Sequence, residues 1–101
     1  MTYRALLAAA AAADLDRAVL WYLDHAPEQA GRLIDEYETA IERVCEFPHA
    51  APMLRPQARR TALKVFPYQL WYYCHDVDQV IEVVAIVHNR QDPVGFVGRL
   101  G

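Results

Sequence analysis

Along this chain the apolar residues change their spacing twice. Between Ala9 and Ala26 the side chains of Leu15, Val19, Tyr22, Leu23 and Ala26 recur at helical steps, while Asp14, Asp16, Arg17 and Asp24 take the other side. That pattern predicts an amphipathic helix starting near Ala9, and the alanine run that opens it has high helix propensity. Pro27 pushes Ala26 out of helical geometry and separates a second helix from the first. In this second helix Ala30, Leu33, Ile34, Tyr37, Ile41, Val44 and Cys45 form one stripe against Glu28, Arg32, Asp35, Glu36, Glu38, Glu42 and Glu46, until Phe47-Pro48 ends it. Leu20 and Trp21 fall off the first stripe; a partner or a neighbouring helix covers such a pair.

Outside the helices the pattern is that of strands. Residues Tyr3 to Leu7 predict a short first strand, and "PHAAPMLRPQARR", with three prolines and no periodicity, reads as a loop. "TALKVFPY", "QLWYYCHD" and "QVIEVVAIVHN" then predict three strands rich in Val, Ile, Tyr and Trp, with Asp76-Val77-Asp78 reversing the chain between the last two. Leu70, Tyr72 and Cys74 share one face, and Trp71, Tyr73 and His75 the other. On the last strand Ile81, Val83, Ala85 and Val87 oppose Val84, Ile86 and His88. With both faces largely apolar, the helices cover one, and a C-terminal segment, a partner or both cover the other. Pro93 stops the last strand, and Gly95 and Gly98 leave the tail either loosely packed or ordered by contact. The expected fold is α+β: an N-terminal strand, then an antiparallel helical hairpin packed on an antiparallel sheet that a three-stranded C-terminal meander completes. At 101 residues, 1–101 form a single domain with one modest core.

Charge sharpens the picture. The net charge is -3, with -5 over residues 1–46 and +2 over 47–101, so the molecule is unsuited to coating a phosphate backbone. From Phe47 to His75 there is no acid, and Arg55, Arg59, Arg60 and Lys64 make a local cationic patch or simply a solvated loop. Cys45 and Cys74 lie at apolar positions without metal-ligand spacing and read as small core residues of a reducing, cytoplasmic compartment. The stretch "YRALLAAAAAAD" imitates a secretory signal but is short and alanine-rich, and no run reaches the roughly 18 apolar residues of a membrane span.

Most catalytic chemistries have no foothold. There is no Gly-rich phosphate loop, HExxH or CxxC, and the chain contains no serine, so neither metal nor cofactor is expected. One reaction survives, acid–base cleavage of RNA, which needs a proton acceptor, a donor and cations around the phosphate. His88 is able to titrate near neutrality, and Arg60, Lys64 and Arg90 can hold the phosphate if the loop and strand ends converge. A lone histidine at a strand end is nonetheless more often structural than catalytic.

The stretches "YRALLAAAAAADLDRAVLWYLD", "ERVCEFPHAAP" and "ALKVFPYQLWYYCHDVDQVIEVVAIVHNRQDP" resemble the RelE/ParE toxin superfamily of type II toxin–antitoxin systems, most closely its ParE-like branch. The pattern from Phe66 to Pro93 is the specific part; relatives often place Ser or Thr followed by Pro where this chain has Ala8 and Ala9, a missing helix cap worth about 1 kcal/mol. The resemblance implies a toxin in the setting of plasmid stabilisation. It also implies a cognate ParD-like antitoxin, DNA-binding and with a toxin-wrapping tail, in a higher-order complex. For the target it implies either DNA gyrase, inhibited by protein–protein binding, or, in the RelE-like alternative, ribosome-bound mRNA cleaved by an endonuclease. RelE-like nucleases are typically strongly basic and use a tyrosine or histidine near the C-terminus, whereas here the charge is negative and no tyrosine follows Tyr73. Arg60, Lys64, His88 and Arg90 are then weak catalytic candidates. Together with Arg59 they are better placed as target contacts, and Leu20, Trp21, Trp71 and Tyr73 are the candidates for antitoxin binding.

Overall fold

The computed structural model describes residues 2–91 and 97–100. Its elements are β1 (Arg4–Leu7), α1 (Ala9–His25), α2 (Pro27–Glu46), β2 (Met53–Arg55), β3 (Ala58–Ala62), β4 (Tyr68–His75), β5 (Val80–His88) and a short 3-10 turn at Val97–Leu100. The helix starts and stops follow local chemistry. Ala8 caps α1 with no side-chain hydrogen bond, as the sequence requires, and Pro27 opens α2 at a position where its missing N–H costs nothing, with Ala26 in a non-helical conformation (φ -155°).

Five strands form one sheet in the order β1-β5-β4-β3-β2. Leaving β1, the chain lays its helical hairpin on one face, restarts at the far edge as β2, and reverses three times. β5 thereby arrives beside β1 and parallel to it, Arg4 opposite Val80 and Leu7 opposite Val83, so the sheet is mixed where an antiparallel one was expected. Two further expectations change. The proline-rich stretch contains β2, and β3 begins at Ala58 and ends at Ala62, so that Leu63 to Pro67 form a turn rather than the end of a strand. That turn is held by Glu36 of α2, whose carboxylate accepts the N–H groups of Val65 (3.0 Å) and Phe66 (3.0 Å).

Between helices and sheet lies the main core, with Leu33, Val44, Phe66, Leu70, Tyr72, Ile81, Val83 and Ile86 among its buried members. A second buried cluster on the opposite face joins Ala58, Trp71, Val84, Ala85 and Val87, with Tyr73 at its margin. The assignment of β5 residues to these faces differs from simple alternation. Trp71 pairs with Ala85 and Tyr72 with Val83, which makes Val84 a bulge; past it the phase inverts, sending Ile86 to the helix side and Ala85 and Val87 to the other.

α1 is rotated relative to its predicted stripe. Ala11, Asp14 and Ala18 are buried, while Leu23 is exposed. Small residues let the helix approach β5 closely, and Asp14, only 6% exposed, uses that proximity. Backbone pairing between β1 and β5 ends where Ala8 N–H donates to Val83 O. Beyond it, Asp14 Oδ2 accepts the N–H of Ile86 (3.0 Å), and Arg99 Nη1 donates to Val84 O (3.3 Å) and to Asp14 Oδ2 (2.6 Å). Arg17 adds a second ion pair to Asp14. The bond to Asp14 holds the Arg99 guanidinium above its ordinary range, and Arg99 ties the Val97–Leu100 turn to α1 and β5; the rest of the tail, including Gly95, falls outside the described residues. The expectation that Pro93 stops the last strand falls outside the described residues; β5 itself ends at His88.

Candidate functional site

Between the C-terminal half of α1 and the Tyr68–His88 end of the sheet runs an aromatic groove of about 480 Å³, lined by Trp21, Tyr22, Pro67, Tyr68 and His88. Trp21, Tyr68 and His88 also border a neighbouring depression that reaches Asp14, Arg17 and Gln91, so the two form one continuous surface. Ring geometry fixes its walls. Trp21 stacks on His25 (4.2 Å between centroids, 9° between planes), and Tyr68 meets His88 edge-on at 5.3 Å. Behind them, Tyr22 packs edge-on against Phe66 at 5.3 Å and anchors the groove to the core.

Proton positions follow from the partners. His25 Nδ1 donates to the carbonyl of Trp21 (2.8 Å), since a carbonyl only accepts. His88 Nδ1 accepts the backbone N–H of Arg90 (3.1 Å), so a neutral His88 ring carries its proton on Nε2. Burial, with Tyr22 nearby, raises the Tyr68 hydroxyl above the usual tyrosine range. Burial pushes the Tyr72 hydroxyl up to about 12 and raises both the Cys45 and Cys74 thiols. The Tyr68 hydroxyl in the groove is therefore a neutral phenol at neutral pH, and neither thiol is activated.

The cations singled out from sequence are not gathered here. Arg60 pairs across the ladder with Trp71 and its guanidinium lies 5.9 Å from that ring's centroid, on the face away from the helices. His88 pairs with Tyr68 on the helix face. Arg59 also lies on the helix side, but Nη1 donates to the carbonyls of His49 (3.1 Å) and Ala51 (2.7 Å), tying down the turn after α2. Lys64 borders a separate depression of about 240 Å³ beside Arg43, Asp35 and Thr39 of α2. Arg90 is exposed in the turn that follows β5. A sheet thus stands between Arg60 and His88, and one phosphate cannot touch both.

The apolar candidates divide in the same way. Leu20 and Trp21 are 58% and 51% exposed on α1, whereas Trp71 is 6% exposed inside the second cluster and Tyr73 is half-buried beside it. Sequence reading did not find Tyr22, Pro67 and Tyr68 as groove residues. The adjacent "FPY" was the available signal, but only the turn held by Glu36 brings Pro67 and Tyr68 up against α1. At the other end of β4, about 20 Å away at the rise of an extended strand, His49, Cys74 and Asp76 bring nitrogen, sulfur and oxygen donors together.

Comparison with known proteins agrees with this architecture. Among solved structures, the chain superposes on one from a "Chromosomal ParDE TA system from P. aeruginosa" with a TM-score of 0.74 at 19% identity, covering 86% of this chain and 96% of the other. It superposes on E. coli toxin RelE, in the free state of a mutant, with a TM-score of 0.62 at 19% identity over the whole of both chains. At those identities the likeness is one of fold. In sequence, the chain is 31% identical to Toxin ParE2 of Mycobacterium tuberculosis over 81 residues, which is 79% of this chain and 75% of the relative. The profile of the family described as "ParE toxin of type II toxin-antitoxin system, parDE" matches residues 5–93, the span that runs from β1 through β5, and the chain belongs to that ParE toxin family.

Proposed function

We propose that this chain acts as a toxin by binding a protein, DNA gyrase, without cleaving RNA, and that a ParD-like antitoxin neutralises it by covering the α1 face in a higher-order cytoplasmic complex. The observation that carries the reading is the dispersal of the cations over both faces of the sheet, on a molecule of net charge -3. Phosphoryl chemistry needs donors and cations convergent on one phosphate, whereas a protein-binding surface needs exposed apolar and aromatic area, which α1 offers in Leu20 and Trp21. Family membership and the ParDE-type neighbour support an antitoxin partner.

A gyrase assay tests the target. Adding the purified chain to gyrase and supercoiled DNA should inhibit supercoiling and accumulate cleaved DNA, and cells expressing the chain alone should keep intact mRNA. Unimpaired gyrase beside transcripts cut at the ribosome would reverse the reading. That outcome would favour the second one, a ribosome-dependent endonuclease, which the imidazole of His88 in an aromatic groove supports. Under it, replacing His88 and Arg90 by alanine abolishes toxicity in a protein that stays folded.

A further inference from the structure

The donor group at the far end of β4 is assembled from two separate stretches of chain, Cys74 and Asp76 having only His75 between them. His49 comes from the turn after α2, Cys74 from the last turn-side residues of β4, and Asp76 from the turn into β5. One ligand atom of each lies within 4.8 Å of both others, and His49 Nε2 stands 2.8 Å from Asp76 Oδ1. His49 and Asp76 are exposed and Cys74 is half-buried. The surroundings hold each piece in place. The Tyr3 hydroxyl donates to Asp76 Oδ1 (2.8 Å) and its ring meets that of His49 edge-on at 6.1 Å. Arg59 fixes the carbonyls of His49 and Ala51, and Pro48 O accepts both the Tyr72 hydroxyl (3.0 Å) and Cys74 Sγ (3.2 Å).

We propose that His49, Cys74 and Asp76 form a three-ligand binding site for a divalent metal ion of the zinc class, with the fourth position open to water. Mixed imidazole, thiolate and carboxylate donors suit zinc better than calcium or magnesium, which take oxygen alone. Around a tetrahedral ion with bonds of about 2.0–2.3 Å, donor atoms stand roughly 3.5 Å apart. A group already within 4.8 Å closes on such an ion through side-chain rotation at the two exposed residues. Binding releases the Cys74 thiol proton and any proton held between His49 and Asp76 to solvent, leaving two anionic ligands and one neutral one around the dication. The Tyr3 hydroxyl and the Arg59-held turn then orient the ligands. The sequence gives no hint of this: positions 49, 74 and 76 follow no metal-binding motif, and only the packing of the α2 turn on the end of β4 unites them. An occupied site would clamp the N-terminal residues, the α2–β2 turn and the β4–β5 turn into one unit.

The test uses the untagged full chain, reduced and freed of metal, titrated first with cobalt and then with zinc. One equivalent of cobalt should give a thiolate-to-cobalt charge-transfer band that zinc displaces, and zinc should raise the melting temperature. Cys74→Ser should abolish the band, and both it and His49→Gln should weaken zinc binding about tenfold or more, while Cys45→Ser leaves both unchanged. Circular dichroism of each variant establishes that it is folded, and His49→Gln, at an exposed position, guards against a Cys74 variant that does not fold. The absence of the band in folded wild-type protein at millimolar cobalt overturns the site, leaving His49 and Asp76 as an ordinary hydrogen-bonded pair. A band that survives Cys74→Ser or disappears with Cys45→Ser overturns it equally.

Discussion

Asp14 stands where a neighbouring strand would otherwise supply backbone partners to β5. Its carboxylate satisfies the Ile86 N–H and pairs with Arg99, which in turn satisfies Val84 O. Asp14→Ala removes an acceptor from a buried N–H and a counter-charge from Arg99 at once, and should cost about 3 kcal/mol in urea unfolding. Asp14→Asn keeps a carbonyl oxygen for Ile86 and should cost less. Equal stability of all three proteins would show that the edge of β5 finds its partners elsewhere. A second residue-scale prediction concerns Tyr68. Its hydroxyl ionises above the usual range in the folded chain, so the fold binds that proton more tightly than the unfolded chain does. The associated stability is fully present below about pH 10, the ordinary tyrosine value, and is lost as pH rises through the higher folded value. Tyr68→Phe should therefore lose stability less steeply above about pH 10 in pH-jump or denaturant series.

At the level of elements, most of what was legible came from periodicity, and most of what was not came from contacts between distant residues. The starts of α1 and α2, the end of α2 and the β4–β5 reversal were readable because proline, alanine and the helical repeat act locally. The facing of α1 was not, because the pattern of large residues pointed to Leu23, whereas close packing on β5 selected the small Ala11 and Ala18 and the acid between them. The facing of β5 beyond Val84 was hidden by one bulge, which turns a correct alternation into its mirror. "TALKVFPY" looked like a strand because Val and Phe favour strands, but Glu36, some 30 residues earlier, captures the N–H groups of Val65 and Phe66 and bends the chain. Glu36→Ala should cost about 2 kcal/mol in thermal or chemical unfolding. Glu36→Gln, which keeps an oxygen acceptor, should lie between the two, and a Glu36→Ala protein as stable as wild type would assign the turn to its own sequence. Of the groove, only Trp21 and His88 were legible in advance.

On the scale of the whole molecule, the two faces of the sheet have different fates. One is closed by helices, and the other carries its own buried cluster, so the large exposed apolar residues lie on the helices, chiefly α1, on the outermost strands and in turns. Leu20→Ala and Trp21→Ala should each weaken antitoxin binding by at least about 1 kcal/mol in calorimetric titration, and Trp71→Ala should instead lower stability by about 3–5 kcal/mol. Unchanged affinity in both α1 variants would move the antitoxin to another surface. The rims have a consequence of their own. β1 carries exposed Leu6 and Leu7, β2 carries exposed Met53 and Leu54, and among the described residues each of these outermost strands has a paired strand on one side only. Copies produced in surplus can add to one another edge upon edge. The ceiling on how much of this protein stays dispersed is then set by whatever shields those margins, and a lysine in place of Leu54 should raise it in light-scattering measurements while leaving the fold intact.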